Sequence, residues 1–282
     1  MKSKICAYIC VYNEEARIGY TLNSFKWCDQ IIVVDKNSND HTREIASSFG
    51  VELYLMDHKN TYNASDDLQF LENCRCEWLM LVTASDIISP KLANQIKEIV
   101  DDNSSYYDSI SIPYHRYVLG IYNKRSPWYS GNLIAVYKRS AVRINTSGVH
   151  DGISINHKST YVIKFVGDNA LLHLTHERVD TMMERHLRYI RTEGINYSER
   201  SMFPALKSVL RSFFDCFLSK KSFFCGWDGI ALMFSYLSYH MLSFVYKWEN
   251  NRSHAIDVYH RLREQNSKDW EMHYKNSEAE IF

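Results

Sequence analysis

The feature that most constrains this chain is a repeated switch of hydrophobic period in its first hundred residues, with polar clusters at the ends of the strand-length runs. Ile5 to Val11 is a short apolar run, of the length of a buried strand. Ile18, Leu22 and Phe25 then recur at i, i+4 and i+7, with Asn13 ahead of Glu14-Glu15 as the expected N-cap of a helix. Ile31 to Val34 is a β-branched strand ending at Asp35. Ser38, Asn39 and Asp40 are expected to cap a helix through Ile45, which Gly50 closes. Val51 to Leu55 reads as a third strand, residues 64–73 as a helix, and Trp78 to Val82 as a fourth, buried strand. Pro90 opens a helix whose Leu92, Ile96, Ile99 and Val100 share one face.

Strand–helix alternation of this kind predicts a parallel sheet with helices on both faces, and such sheets bind ligands at the carboxyl ends of their strands. Polar residues stand at those ends: Val11-Tyr12-Asn13-Glu14 after the first strand, Asp35 after the second, Thr83-Ala84-Ser85-Asp86 after the fourth. Around residues 105–175 the strands become shorter (Ile110 to Ile112, Leu133 to Tyr137, Val162 to Phe165, Ala170 to Leu174), as in a mixed-sheet extension. Beyond residue 178 the pattern is helical. The expectation is an α/β domain over 1–178, with a mainly parallel or mixed central sheet, and a helical region over 179–282.

An apolar content of 45% with 14% aromatics excludes a disordered chain. Lys+Arg and Asp+Glu both number 33, so no global field draws the chain to nucleic acid, and none is expected as a partner. The seven cysteines are scattered, without zinc spacing, and read as reduced packing thiols of a cytoplasmic protein. The apolar N-terminal run stops at Val11, as a first strand does and a signal peptide does not.

The constellation with most chemistry is Val11-Tyr12-Asn13-Glu14-Glu15 with Val34-Asp35-Lys36-Asn37-Ser38-Asn39-Asp40-His41-Thr42. A carboxylate at a strand end accepts from a base N–H or a ribose hydroxyl, and a Ser/Asn/Asp loop shapes a nucleoside pocket. Helix capping is the plainer use of Asn13, Ser38 and Asp40. These residues resemble the family 2 glycosyltransferases, which carry an Asn-Glu loop and a Val-Asp-x-x-Ser-x-Asp-x-Thr loop. Lys26 to Asp35 is similar to the subgroup that extends lipopolysaccharide inner cores. The resemblance implies a GT-A fold, a nucleotide-diphosphate sugar donor and inversion at the anomeric carbon. It also implies that Val11, Tyr12, Asn13, Glu14, Asp35, Ser38 and Asp40 hold the nucleoside.

Where the family carries Asp-x-Asp-Glu, this chain has Thr83-Ala84-Ser85-Asp86. The family motif holds Mg²⁺ or Mn²⁺, which neutralises the leaving diphosphate. Hard cations prefer carboxylate oxygens, so a site of Thr83, Ser85 and Asp86 is weakened, with Asp86 as the remaining metal candidate. The altered motif also fits a GT-A domain that binds nucleotide or glycan without turnover. A nucleotidyltransferase would begin with a Gly-rich phosphate loop, and none follows Val11. Two further departures are Asp66-Asp67, where relatives often carry a basic residue, and Ala135, where the subgroup usually shows arginine. The two acids suit either a sugar hydroxyl or a helix N-terminus.

Val149-His150-Asp151 resembles the subgroup's Val-His-Glu segment. An inverting transferase needs a base to take the acceptor proton; Asp151 is the candidate, His150 its neighbour in positioning, and a His-Asp-Gly turn the plainer reading. Leu171-Leu172-His173 matches an apolar strand ending in histidine, which makes His173 a candidate metal or diphosphate contact. His173 and His176, with Glu177 and Asp180 nearby, also have the makings of a metal cluster, although no zinc spacing completes it.

From Met182 to Lys221 the chain has eight basic residues (Arg185, Arg188, Arg191, Arg200, Lys207, Arg211, Lys220, Lys221) against four acids (Glu184, Glu193, Glu199, Asp215). An aromatic stretch follows to Trp248. Its apolar part, Ile230 to Tyr246, is too short and too polar to span a membrane. Residues 182–248 suit peripheral contact with the anionic inner face of the plasma membrane, or plain packing on the catalytic domain. The lipid-linked acceptors of the resembled subgroup favour the membrane, with a glycan or glycolipid as acceptor.

Overall fold

In the computed structural model, residues 4–58, 64–102, 106–144, 153–155, 159–195, 202–252 and 255–279 are described. β1 (Ile5–Val11) runs through the middle of the sheet and feeds two cores by alternation. Ile5, Ala7, Ile9 and Val11 enter one core with α1 (Ile18–Phe25) and α4 (Pro90–Asp101), which bring Leu22, Phe25, Leu92 and Ile96. Cys6 and Tyr8 enter the other with Leu68, Leu71, Cys74 and Cys76. Burial on both faces is why β1 reads as an unbroken apolar run.

β2 (Gln30–Asp35) and β4 (Trp78–Thr83) flank β1 in parallel, and β3 (Glu52–Leu55) lies parallel outside β2. Val11 sits opposite Asp35, and Cys10 opposite Thr83, so the three strands end level. Beyond β4 the sheet turns mixed. β7 (Asn132–Lys138) is antiparallel to β4 and to β6 (Ser109–Val118), while β11 (Leu171–Thr175) is parallel to β6. β5 (Asp86–Ile88) pairs antiparallel with β11, and β10 (Thr160–Val162) parallel with β6. β8 (Val142–Ile144) and β9 (Ile153–Ile155) form a separate ribbon.

Several local expectations are corrected. Asn13 does not cap α1; it adopts φ 53°, and α1 begins only at Ile18 with no side-chain cap. Ser38 and Asn39 do not cap the next helix, α2 (Thr42–Ser48), which follows His41, but Asp40 Oδ1 does accept from the N–H of its first residue, Thr42, at 3.0 Å. The helix expected over 64–73 divides into α3 (Ala64–Asp67) and a 3-10 turn at Leu71–Asn73. The division follows from tertiary ties: Leu68 and Leu71 are buried under the sheet, and the Asn73 carbonyl accepts from Gln30 Nε2 at 3.0 Å. Two readings of the ends match: Gly50 takes φ 67° just past α2, and Pro90 opens α4 at its first position. The cap there, Ser89 Oγ accepting from the Leu92 N–H at 3.3 Å, was not expected.

The C-terminal region is helical: α5 (Val179–Ile195), α6 (Phe203–Phe214) running into one π turn at Asp215–Ser219, α7 (Gly226–Asn250) and α8 (Ala255–Ala279). Among the described residues no helix is long and apolar enough to cross a membrane. Helix α7 packs on α5 and α6. A methyl at Gly229 would lie 2.0 Å from the Ser222 carbonyl oxygen, so only glycine permits that approach.

The seam between α5 and α7 is aromatic. His186 of α5 stacks on Trp128 at 5.7 Å and meets Tyr239 of α7 edge-on at 5.0 Å, while His176 lies 5.1 Å from His186. His176 is therefore not part of a metal cluster, and Asp180 is taken by Arg178 at 2.9 Å. Burial first, then neighbouring positive charge, lowers His176 from 6.5 to about 3 and His186 to about 4. The unfolded chain binds these protons near pH 6.5 and the folded chain does not. Their contribution is thus whole above pH 6.5 and lost as pH falls toward 4. The urea midpoint should drop between pH 7.5 and pH 5, and His186→Phe should make that drop shallower. An unchanged drop in the variant would show that the seam histidine is not its source.

Candidate functional site

The level ends of β1, β2 and β4 put three polar loops on one rim. Two of them are laced together by reciprocal hydrogen bonds. The Asn13 N–H donates to Ser38 Oγ at 2.9 Å, the Asn39 N–H to Asn13 Oδ1 at 3.0 Å, and the Glu14 N–H to Thr42 Oγ1 at 2.7 Å. The Glu15 N–H donates to Asp40 Oδ2 at 3.1 Å, while Asp40 Oδ1 takes the Thr42 hydroxyl. Asp35 is fully buried at its strand end. Its Oδ1 accepts from the Ser38 N–H at 2.6 Å; its Oδ2 is sealed from solvent, without a hydrogen-bond partner, 3.6 Å from Arg43 Nε.

Beside this brace opens a cleft of about 590 Å³. Val11, Tyr12 and Glu14 form one side, Thr83 and Ser85 the floor, and His173 with Thr175 of β11 the far side; α5 roofs it with Thr181, Glu184, Arg185, Arg188 and Tyr189. Tyr12 stacks on His58 with centroids 3.7 Å apart and planes 6° from parallel, making a flat aromatic end wall. Burial first, then Arg188 and Lys36, lowers the His58 pKa, which keeps its ring neutral at neutral pH.

The cleft thus gathers Val11, Tyr12, Glu14, Thr83, Ser85 and His173. It leaves Asn13, Asp35, Ser38, Asp40 and Asp86 behind its wall, as the braces that hold the wall in place. His150 and Asp151 lie outside the described residues. The sequence reading missed Arg17. It also gave Arg185 and Arg188 to a lipid-facing tail, whereas both face the cleft. Their spacing at i and i+3 on one helix was the available signal. Asp67 reaches the cleft too, paired with Lys36 at 2.5 Å, while Ala135 is buried in β7.

Asp86 and His173 do meet, but as partners of each other. His173 Nδ1 lies 2.7 Å from Asp86 Oδ1, and Asp86 Oδ2 accepts from the Thr83 N–H at 2.7 Å and its hydroxyl at 2.9 Å. Ser85 Oγ accepts from Arg17 Nη1 at 3.0 Å, and Arg17 also donates Nε to Glu14 Oε2 at 2.8 Å. Mg²⁺ and Mn²⁺ at a diphosphate are held by one or two free carboxylates together with phosphate oxygens and water. Here the one carboxylate has both oxygens engaged and a guanidinium is fixed on Ser85, which does not fit such an ion. Among the described residues no group of three or more His, Cys, Asp or Glu side chains is placed to hold a metal ion. What the arrangement does offer is an imidazole oriented by a carboxylate and stacked on Tyr114 at 5.5 Å.

Residues 6–161 match the family model described as glycosyl transferase family 2. Uncharacterized glycosyltransferases of Rickettsia bellii (strain RML369-C) and Rickettsia typhi (strain ATCC VR-144 / Wilmington) are each 25% identical to this chain. The alignments cover 82% and 81% of it and 81% of each relative. Among solved structures, S. aureus TarS 1–349 in complex with UDP-GlcNAc is similar at 13% identity and a TM-score of 0.46, over 88% of this chain and 90% of that one. The match spans about half, 54%, of a longer TarS chain. The mannosyltransferase PcManGT from Pyrobaculum calidifontis, in complex with GDP-Man and Mn²⁺, is similar at 13% identity and a TM-score of 0.45, over 85% of this chain and 74% of that one.

Because Asp86 is spent on its neighbours, Asp86→Ala should destabilise the protein in metal-free buffer, by about 1–3 kcal/mol for the three lost contacts of a charged acceptor. Asp86→Asn, which keeps one acceptor oxygen, should cost less. Urea unfolding of both variants in EDTA checks this; wild-type stability of Asp86→Ala would remove the bracing role.

Proposed function

The chain belongs to glycosyl transferase family 2, and from that premise we propose that it moves a hexose, with inversion, from a nucleotide-diphosphate sugar to a hydroxyl of a bacterial surface glycan such as a lipopolysaccharide core. Its mixed sheet with level strand ends is the GT-A arrangement of that family. The observation that best supports the proposal is the cleft at those ends, with a flat aromatic wall at Tyr12, a polar floor and a cationic roof. A base suits the wall, a ribose suits Glu14 and the laced loop, and a diphosphate suits the roof. Asp35 serves this reading by fixing the loop through the Ser38 N–H, with its buried second oxygen turned to Arg43 at 3.6 Å.

In a single displacement the acceptor oxygen attacks the anomeric carbon from the side opposite the diphosphate, and a base removes its proton. Asp151 is the base in this reading, with His150 beside it. Asp151→Asn should keep nucleotide-sugar affinity while lowering transfer by a factor on the order of 10²–10⁴. A panel of UDP- and GDP-sugars, screened for binding by thermal shift and for transfer to purified surface glycan, checks both halves. Undiminished transfer by the variant would take Asp151 out of this role, and binding without turnover by the wild type would favour a lapsed transferase.

The acceptor is lipid-linked in this reading, and the helical region meets the membrane that carries it, at its inner face. Phe203, Leu210 and Phe214 on α6 are half or more exposed, as are Leu218, Phe224 and Trp227 after it. Lys207, Arg211 and Lys221 stand exposed among them, and each such charge adds about 1 kcal/mol at an anionic surface. The protein should sediment with phosphatidylglycerol vesicles and not with phosphatidylcholine ones, and Phe224→Ser with Trp227→Ser should release it. Equal recovery of wild type and double variant would exclude this face.

A further inference from the structure

We infer that the cleft takes the diphosphate of its donor on arginine side chains, Arg185 and Arg188 backed by Arg17, in place of a divalent cation. The inference rests on the transferase reading above and concerns the step in which the diphosphate departs. As the acceptor oxygen bonds to the anomeric carbon, the bond from that carbon to the phosphate oxygen breaks. Its electron pair stays on that oxygen, the acceptor proton passes to the base, and the new negative charge needs a fixed positive partner.

The floor of the cleft is built against a cation there. Thr83 and Ser85 bring no charge, both oxygens of Asp86 are engaged, and the Arg17 guanidinium already donates to Ser85 Oγ at 3.0 Å. A positive group thus stands against the floor from α1's leading turn, and it is part of the protein.

The roof supplies the rest. Arg185 and Arg188 lie one helical turn apart on α5, and both line the cleft. The Glu14 carboxylate is shared: Oε2 is bound by Arg17, and Oε1 lies 3.8 Å from Arg185 Nη2, beyond hydrogen-bond reach. The Arg185 guanidinium therefore keeps donors for a ligand. Arg188 Nε is sealed from solvent with no hydrogen-bond partner among the described residues. A buried donor left unmade is costly, and a small turn of the Arg188 guanidinium into the cleft it lines would give that donor a phosphate oxygen as acceptor. Of the acids in the wall, Asp67 is neutralised by Lys36 at 2.5 Å, Glu14 is shared by two arginines, and Glu184 is exposed. Guanidinium groups present paired donors that match phosphate oxygens, which a lysine cannot do.

The test measures binding of UDP and GDP, with uridine and guanosine as references, to the full chain by calorimetry in EDTA and in Mn²⁺. The diphosphate that binds should do so with affinities in the two buffers within about threefold. Arg185→Ala and Arg188→Ala should each weaken it roughly tenfold to a hundredfold, with nucleoside affinity unchanged and Arg→Lys variants recovering part. Circular dichroism and thermal melts verify that the variants fold. Diphosphate binding that needs Mn²⁺, or arginine variants that keep the full preference for diphosphate over nucleoside, would overturn the inference and leave the transferase reading intact. No binding of any nucleotide in either buffer would overturn both.

Discussion

The hydrogen-bonded register of β1 between β2 and β4 is the constraint on which the cleft depends. Val11 opposite Asp35 and Cys10 opposite Thr83 bring three strand ends to one level, so the loops that leave them must share a rim. The register is held by burial on both faces of β1: a slip by one residue would exchange Ile9 with Tyr8 and send each into the wrong core. With the strands fixed, the loops have little freedom. Asn13 is forced to φ 53° and its amide finds Ser38 rather than the start of α1. The polar groups at this rim therefore stiffen one another before any ligand arrives, which is the preorganisation a nucleotide site requires.

Most of the fold was legible because the two hydrophobic periods are clean in the first hundred residues. The strands of the parallel half appear within a residue or two of their expected ends, and α4 carries the expected face, capped by Ser89. What escaped the sequence was short or tertiary. β5 is three residues placed by pairing with β11, and no periodicity can announce a strand of that length. The break between Asp67 and Leu71 is set by what Leu68 and Leu71 bury against, not by helix propensity.

The site was less legible than the fold, for a physical reason. A motif names residues, but burial decides which atoms face the ligand. Asp35 and Asp86 sit at the expected strand ends, yet each spends its carboxylate on backbone amides and neighbours. Tyr12 and Glu14 reach the cleft from the loop after β1, and His173 from β11 beside Asp86. Arg185 and Arg188 come from a helix more than a hundred and sixty residues beyond the first loop, so only the packing of α5 over the strand ends brings them there. Read in sequence they belonged with the other basic residues of the tail, a grouping by composition that the fold divides between two surfaces.

That division ties the roof to the C-terminal helices. α5 presents Arg185 and Arg188 to the cleft, and with His186 it packs on Trp128 and on Tyr239 of α7. Helix α7 in turn packs on α6, whose outer face is apolar and exposed. One helix therefore lines the cleft on one side and, through α7, is linked to the exposed apolar face of α6 on the other. The seam that joins them is rigid by construction. Gly229 lets α7 approach the Ser222 backbone more closely than any other residue would allow, and His186 joins α5 to α7 through its edge-on contact with Tyr239.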